Sequence, residues 1–480
     1  MDFYNTLNRT KEEFKPINDE EIRVYSCGPT VYNYAHIGNL RTYIFMDLLT
    51  KTIRANGSKV KHVMNITDVG HLTSDADEGE DKMVKAAKAT NKDPYEIAEF
   101  YTNVFLRDLK SLNIREPDII SKATEHIPEM IEYVQQIIDN GYGYETSTGV
   151  YFDVSKLPSY GILSKKNLEG EKAGARITID DEKRNPLDFA LWKKAPENHI
   201  MKWESPWGIS YPGWHIECSA MSRKYLGEEF DIHMGGIDHI PIHHENEIAQ
   251  SMGHNGKIPA RYWMHGEFLS VDNGKMSKSL GNTYTLDDLK EKGFDALDYR
   301  FLCLNANYRN KMNFTFKSLE GAKKGLNRLR EEVKKHAQGS NVTSNEEIEN
   351  YRKVFLEAMN DDLDSPKAMS ILWEIARTPN KSKQYADLIA EFDTVLGIDV
   401  SLEKILKREN KEESIDIRDT LDIKTKNLIA EREVARSHKD WKRADAIREA
   451  LKEKGIEIVD MKDGIQIKKS QPQVDIEMER

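Results

Sequence analysis

Three short stretches hold residues whose types and spacing could do chemistry. The first is His243-His244-Glu245-Asn246-Glu247, which opens a helix-like run through Ile248-Ala249-Gln250. Positions four apart share one helical face, so His243 and Glu247 can hold one ion. Cys218, in Trp214-His215-Ile216-Glu217-Cys218, and Cys27 could add two sulfurs. Two thiolates, an imidazole and a carboxylate form a set that zinc accepts in tetrahedral geometry. Spacing alone leaves a blander reading open. His and Glu four apart commonly lie on solvated helices, and lone cysteines are commonly core residues. His233, His239 and His244 likewise read as pocket groups or as hydrogen-bonded structural histidines, while Cys303, in Phe301-Leu302-Cys303-Leu304, reads as core.

The second stretch is Lys275-Met276-Ser277-Lys278-Ser279, bounded by Gly274 and Gly281. Two ammonium groups and two hydroxyls on a glycine-flanked loop suit a clamp that swings onto a triphosphate and neutralises its oxygens. Short basic loops are also common on surfaces. The third stretch, residues 424–454, carries ten Lys or Arg against six Asp or Glu, inside a chain of net charge -11. Trp441 lies there among Lys439, Lys442 and Arg443, and a tryptophan amid cations can stack on an unpaired base while the cations hold phosphates. Trp441, Ala444, Ile447 and Leu451 also recur as an apolar helical stripe, so core and platform both stand.

The element that must position the first two stretches is centred on Cys27 to Asn39. Ile22-Arg23-Val24-Tyr25-Ser26 before it is short and β-prone. After it Leu40, Ile44, Leu48 and Ile53 recur at helical spacing until Gly57. Val60, His62, Met64 and Ile66 then alternate as a second strand. A β-loop-α-β unit of this kind crosses over right-handed and presents its loops at the carboxyl edge of a parallel sheet, where ligands bind. Residues 81–114 read as helical and solvated, broken at Asp93-Pro94. From about 121 to 200, Gly141, Gly143 and Gly149 punctuate short β-like runs, which suggests an inserted module. The α/β texture returns from Trp203 to Tyr308, and six of the fourteen histidines fall between His215 and His254. Beyond about residue 315 the chain is charged and helix-periodic, and it closes with a hairpin signal around Asp463-Gly464.

At 480 residues the chain exceeds one core and suggests roughly three domains. Charged residues make up 31%, no apolar run approaches the ~18 residues that span a bilayer, and the amino terminus lacks a signal pattern. These features predict a cytoplasmic protein with no membrane partner. Three cysteines cannot build a disulfide framework. The net charge argues against indiscriminate nucleic-acid binding but leaves room for a local basic face.

Taken together, the segments resemble the cysteinyl-tRNA synthetases, a class I aminoacyl-tRNA synthetase family. Cys27-Gly28-Pro29-Thr30-Val31-Tyr32 followed by His36-Ile37-Gly38 looks like the first class I signature, and Lys275 to Ser279 matches the second letter for letter. Pro212 to Met221 and His243 to Glu247 are similar to stretches particular to this family, and Asp362-Leu363-Asp364-Ser365-Pro366 resembles a pattern of its helical region. Arg436, Lys439-Asp440-Trp441 and Ala444-Asp445 resemble another.

The resemblance implies an α/β, Rossmann-type catalytic domain in two halves (1–120 and 201–315, the second with the Lys275–Ser279 loop) around a connective module (121–200). A helical bundle (316–400) and a small α+β anticodon-binding domain (401–480) would follow. It implies one zinc on Cys27, Cys218, His243 and Glu247, with Gly28, Thr67 and Trp214 lining the pocket for L-cysteine. His36, Asn39, Asp238 and Lys278 would contact ATP, His36, Lys275 and Lys278 would serve catalysis, and Mg²⁺ would accompany ATP. Arg436, Trp441 and Asp445 would meet the anticodon of tRNA(Cys), and a monomer is the family expectation. One departure stands out: position 39 is asparagine where the signature usually has a second histidine. An amide can still hydrogen-bond but carries no charge, and losing one transition-state donor typically costs about 10² to 10³ in rate.

Overall fold

The structure is a computed structural model that describes residues 1–70, 93–165, 182–197, 199–276, 281–414, 421–461 and 464–469. The chain divides into two compact units, Met1–Asp399 and Val400–Arg480.

The first unit begins with an antiparallel hairpin, β1 (Asp2–Asn5) and β2 (Thr10–Glu13). Next come β3 (Ile22–Ser26), α1 (Ile37–Ala55), β4 (Val60–Ile66), α2 (Pro94–Ser111) and β5 (Ile119–Lys122). The β-loop-α-β unit therefore forms where its periodicity predicts it. Leu40, Ile44, Leu48 and Ile53 of α1 are buried, and Gly57 takes a positive φ of 88° just past the helix. In β4 the alternation gives way to nearly continuous burial, His62 included. Parallel strands covered on both faces bury both rows of side chains. α2 starts at Pro94, with Asp93 capping its first turn, so the break read at Asp93-Pro94 is a helix start. Residues 81–92 of that reading lie outside the described residues.

α3 (Ile127–Asp139) leads into a five-stranded antiparallel sheet of β6 (Gly143–Glu145), β7 (Gly149–Phe152), β8 (Phe189–Lys194), β9 (Trp203–Ser205) and β10 (Gly208–Pro212). Its spatial order is β6-β7-β8-β10-β9. Its last two strands follow residue 200, where the sequence pattern suggests that the module ends. The chain then returns to the parallel sheet through α4 (Trp214–Leu226), β11 (Phe230–Gly236), α5 (His243–Asn255) and β12 (Ala260–Gly266).

The parallel sheet runs β12-β11-β3-β4-β5. After β3 the chain builds outward to β4 and β5, and on returning it builds outward on the other side through β11 and β12. The order thus reverses between β3 and β11. A crevice opens at the carboxyl ends of strands at such a switch point, and ligands bind there. Beyond β12, β13 (Leu269–Val271) pairs with both β14 (Gly274–Lys275) and β15 (Met312–Phe314). This small sheet holds the backbone of Lys275, the first residue of the second stretch.

Four long helices complete the first unit: Phe316–Ala337, Asn345–Asn360, Ser365–Arg377 and Lys383–Leu396. Leu319, Leu326, Leu329 and Val333 form a buried stripe on the first, and Phe355 stacks on Phe392 at 3.8 Å. The second unit contains helices Leu402–Ser414, Ile423–Ser437 and Trp441–Glu453, and a hairpin of β16 (Ile456–Met461) and β17 (Gly464–Lys469). Ile429, Ile447, Leu451, Ile458 and Ile467 form its core. Asp463, read as part of the hairpin turn, lies outside the described residues.

Candidate active site and metal centre

Cys27 leaves β3 directly over the switch point, and its amide donates to the Met234 carbonyl of β11 at 3.1 Å. The Gly28 amide donates to Asn65 Oδ1 at 2.8 Å. A Cβ at position 28 would lie 1.6 Å from the Asn65 carbonyl oxygen, so only glycine fits here. α4 and α5 pack side by side and deliver Cys218, His243 and Glu247 to the same spot. All three, with Cys27, are buried. The sulfurs of Cys27 and Cys218 are 4.0 Å apart, Glu247 Oε1 lies 3.9 Å from Cys27 Sγ, and His243 Nε2 lies 3.1 Å from that oxygen.

The four predicted ligand atoms thus lie within 4.8 Å of one another, and a second set, Cys27, His233, His244 and Glu247, meets the same limit. Sequence spacing gave no hint of the second set, because His233 is on a strand and His244 differs from His243 by one position. In the second set, His244 Nε2 is 3.2 Å from Cys27 Sγ, and His233 Nε2 is 2.7 Å from Glu247 Oε2. Cys27, Cys218 and His243 of the first set line the adjoining cavity, as does Cys27 of the second. The remaining histidines form a shell: His215 and His243 meet through their Nδ1 atoms at 3.0 Å, and His265 bridges His244 Nδ1 to the Thr6 hydroxyl. Partners of this kind fix which ring nitrogen is left to bind an ion.

Charge in this floor is set by burial and by neighbours. Burial opposes ionisation of Glu247, but His233 and His243 hold its carboxyl well below the usual range. His243 is raised to about 10: burial disfavours its charged form, and the Cys218 and Glu247 charges overcome it. Burial alone would raise the Cys218 thiol, yet its contacts with Cys27 and His243 lower it to about 7, whereas burial pushes the Cys27 thiol well up. The two sulfurs therefore share one readily formed thiolate. Soft and nitrogen donors with one carboxylate, all buried, fit zinc by donor chemistry.

A cavity of about 360 Å³ runs from this floor toward the start of α1. Gly28, Thr67 and Trp214 line it near the sulfurs, and His36, Asn39 and Asp238 line it as well. Thr67 donates its hydroxyl to Glu217 Oε2 at 2.8 Å and accepts from Asn65 Nδ2 at 3.1 Å, while the Trp214 ring lies 4.4 Å from that of His243. His36 is the N-cap of α1. Its Nδ1 accepts from the Asn39 amide and Asn39 Oδ1 accepts from the His36 amide, both at 3.2 Å. Asn39 therefore closes a capping box that a sequence reading focused on the missing histidine overlooks.

Lys275 is in β14, with its backbone paired to Ser270. Ser277, Lys278 and Ser279 lie outside the described residues. A Cβ at Gly38 would meet the Met276 methyl at 3.3 Å, so the second signature begins against the first. Arg41, buried on α1, ties the two more firmly. Its guanidinium donates to the carbonyls of Glu267, Phe268, Asn307 and Asn310, on the segments that lead into β13 and β15. No motif marked Arg41, since a cation within a helical run reads as solvated.

In the second unit, Trp441 is 56% exposed at the first turn of its helix, while Ala444, Ile447 and Leu451 are buried. The apolar stripe therefore excludes Trp441. The Arg436 guanidinium lies 5.8 Å from its ring centroid and pairs with Asp460 at 2.8 Å, and Asp445 is exposed on the same helix.

Known proteins match this arrangement along nearly its whole length. The family model described as tRNA synthetases class I (C) catalytic domain covers residues 13–324, and the DALR domain model covers 354–401. The chain belongs to the cysteine–tRNA ligases. It is 49% identical to the cysteine–tRNA ligase of Treponema denticola, over 96% of this chain and 98% of that one. Against cysteine–tRNA ligase 1 of Burkholderia lata the identity is 45%, over 96% and 95%. Among solved structures, Mycobacterium tuberculosis methionyl-tRNA synthetase in complex with methionyl-adenylate aligns with a TM-score of 0.55 at 15% identity, covering 80% of this chain and 89% of that one. That likeness shows a shared class I fold. Among the described residues no helix is long and apolar enough to cross a membrane.

Proposed function

We propose that this chain activates L-cysteine with ATP to cysteinyl-adenylate and transfers it to the 3′ end of tRNA(Cys), selecting cysteine over serine through a zinc centre. The observation that carries the reading is the buried Cys/His/Glu cluster opening into the same cavity as the start of α1. Cys27, Cys218, His243 and Glu247 are the proposed ligands of one zinc. This set contributes both sulfurs, and three of its members face the cavity. Bound there, zinc supplies a soft partner for a substrate thiolate that an alcohol cannot match.

The chain's own groups do the rest. Gly28, held close against β4, and Trp214 wall the amino acid, and Thr67, held by Glu217 and Asn65, offers an oriented hydroxyl. The cysteine carboxylate is already a nucleophile at neutral pH, so positioning and charge stabilisation dominate the first step. His36, fixed as a cap, and Lys278 with Lys275 receive the negative charge that moves onto the leaving pyrophosphate. Asp238 meets the adenosine portion, and Mg²⁺ accompanies ATP. Arg436, Trp441 and Asp445 contact the anticodon, and the chain works as a monomer. The five-part division at residues 120, 200, 315 and 400 belongs to this reading.

Charging of tRNA(Cys) with cysteine and with serine, before and after zinc removal, tests it. Cysteine is expected to be charged by the zinc-loaded protein alone, and serine by neither form. Equal charging of cysteine without zinc would overturn the selection mechanism.

A further inference from the structure

The adenylation step proposed above leaves three aromatic rings beside the cavity unused. Tyr34 belongs to the loop between Cys27 and His36, and Phe100 and Tyr101 come from α2. Tyr34 and Tyr101 line the cavity. Tyr34 is nevertheless 42% exposed and Phe100 47%, so the group sits at the cavity rim, partly in water. The rings brace one another. Tyr34 meets Tyr101 at 5.1 Å and 89°, and Phe100 at 6.3 Å and 83°, while Phe100 meets Tyr101 at 5.1 Å and 78°. Edge-to-face contacts of this kind hold rings in place, so Tyr34 loses little freedom when something flat lies on it.

The cavity already has claimants at both ends: the amino acid near Cys27 and the nucleotide near His36. The remaining reactant must enter past the rim, and it arrives as a single strand with splayed bases. Aromatic side chains take up unpaired bases by stacking, with little regard to sequence. We propose that Tyr34, braced by Phe100 and Tyr101, is the stacking platform for an unpaired base at the 3′ end of tRNA as that end enters the cavity. This rests on the tRNA-charging reading above. The adenine of ATP is the other base within the same chemistry, and the test separates the two.

The full-length protein is assayed for cysteine-dependent ATP–pyrophosphate exchange and for charging at several tRNA(Cys) concentrations. Tyr34→Ala is expected to leave exchange within about twofold and to lower kcat/KM for tRNA by roughly tenfold, as loss of one stacked base implies. Tyr34→Phe keeps the ring and should charge nearly as wild type. Binding of tRNA lacking its unpaired 3′ nucleotides should not distinguish wild type from Tyr34→Ala. Three results would overturn the platform: unchanged charging by Tyr34→Ala, an equal loss in exchange with a raised KM for ATP, or an equal binding loss with the truncated tRNA. Wild-type exchange without any charging would instead overturn the tRNA reading itself.

Discussion

The floor of the catalytic cavity and the outward side of the Trp441 helix both gather charged and aromatic groups, yet they hold them by opposite means. Below the cavity, Cys27, Cys218, His243, His244 and Glu247 are all buried, and each touches another at hydrogen-bond or near-contact distance. There a neighbouring charge acts through little water, so small changes in composition move ionisation strongly. Around Trp441 the cations stand in solvent: Arg443 pairs with Glu431, and their side chains are 62% and 43% exposed. Pairs like that contribute little individually and weaken with salt. The first region therefore holds its charges by close mutual contact, and the second leaves them paired in solvent.

Cys218→Ser is expected to have the largest effect. Changes to groups that merely orient a metal ligand typically cost 10- to 100-fold, so loss of a ligand should lower kcat/KM for cysteine in exchange by more than about 100-fold. Zinc content measured by mass spectrometry should fall with it. Because Cys218 belongs to one of the two clusters alone, retained zinc with normal cysteine affinity would shift the site to His233 and His244.

Acid tests the effect of burial next, at a histidine outside both regions. His62, buried on β4 beside the Ser26 hydroxyl at 2.8 Å, is lowered to about 4, chiefly by burial and then by the Arg54 charge. A histidine with a depressed folded pKa binds fewer protons folded than unfolded. Its contribution is therefore complete above the unfolded value near 6.5 and is lost as pH falls from there toward 4. The full difference is about 3 kcal/mol. Urea midpoints taken at pH 7 and pH 4.5 should show the loss, and His62→Gln should shrink it by the His62 share, leaving that of other buried histidines such as His239, His244 and His265. An acid limb identical in the variant would mean that water reaches the ring.

Trp441→Ala tests the exposed side of the contrast. Its ring is outside the core of the second unit, so stability should change by less than about 0.5 kcal/mol. Charging of tRNA(Cys) should fall roughly tenfold, as for loss of one stacked base, with exchange intact. Raising the salt should weaken tRNA binding by both proteins. A large drop in thermal stability would return Trp441 to the core.

The contrast also explains what could be read without the fold. The β-loop-α-β unit around Cys27 was legible because helical and strand periods follow from burial on known faces. The His243/Glu247 pair was legible because i, i+4 spacing is local. Cys218 and Cys27 could be joined to them by donor chemistry alone, with a core reading left open, and family likeness narrowed the choice, since the fold brings residues together across long separations. His233, His239 and His244 stayed ambiguous for the same reason: a histidine's role lies in what its two nitrogens touch. Trp441 stayed open between core and platform on spacing, because at a helix end one residue can keep the period of a stripe yet project past the core that the stripe covers.

Asn39 belongs to neither region cleanly, and it gives the smallest and most discriminating prediction. It is exposed, lines the cavity, and closes the capping box with His36. Asn39→Ala removes the acceptor for the His36 amide and should cost about 1 kcal/mol of stability, the scale of a helix cap. If capping is its main work, exchange should fall only severalfold, because His36 loses part of its anchoring but remains in place. Asn39→Asp keeps an acceptor at the helix start, where the dipole favours a negative charge, so it should restore stability. The same charge would face the triphosphate, so exchange should fall further than in Asn39→Ala. Stability and rate would then move in opposite directions between the two variants. If both moved together, Asn39 would act through the helix alone and have no part in meeting ATP.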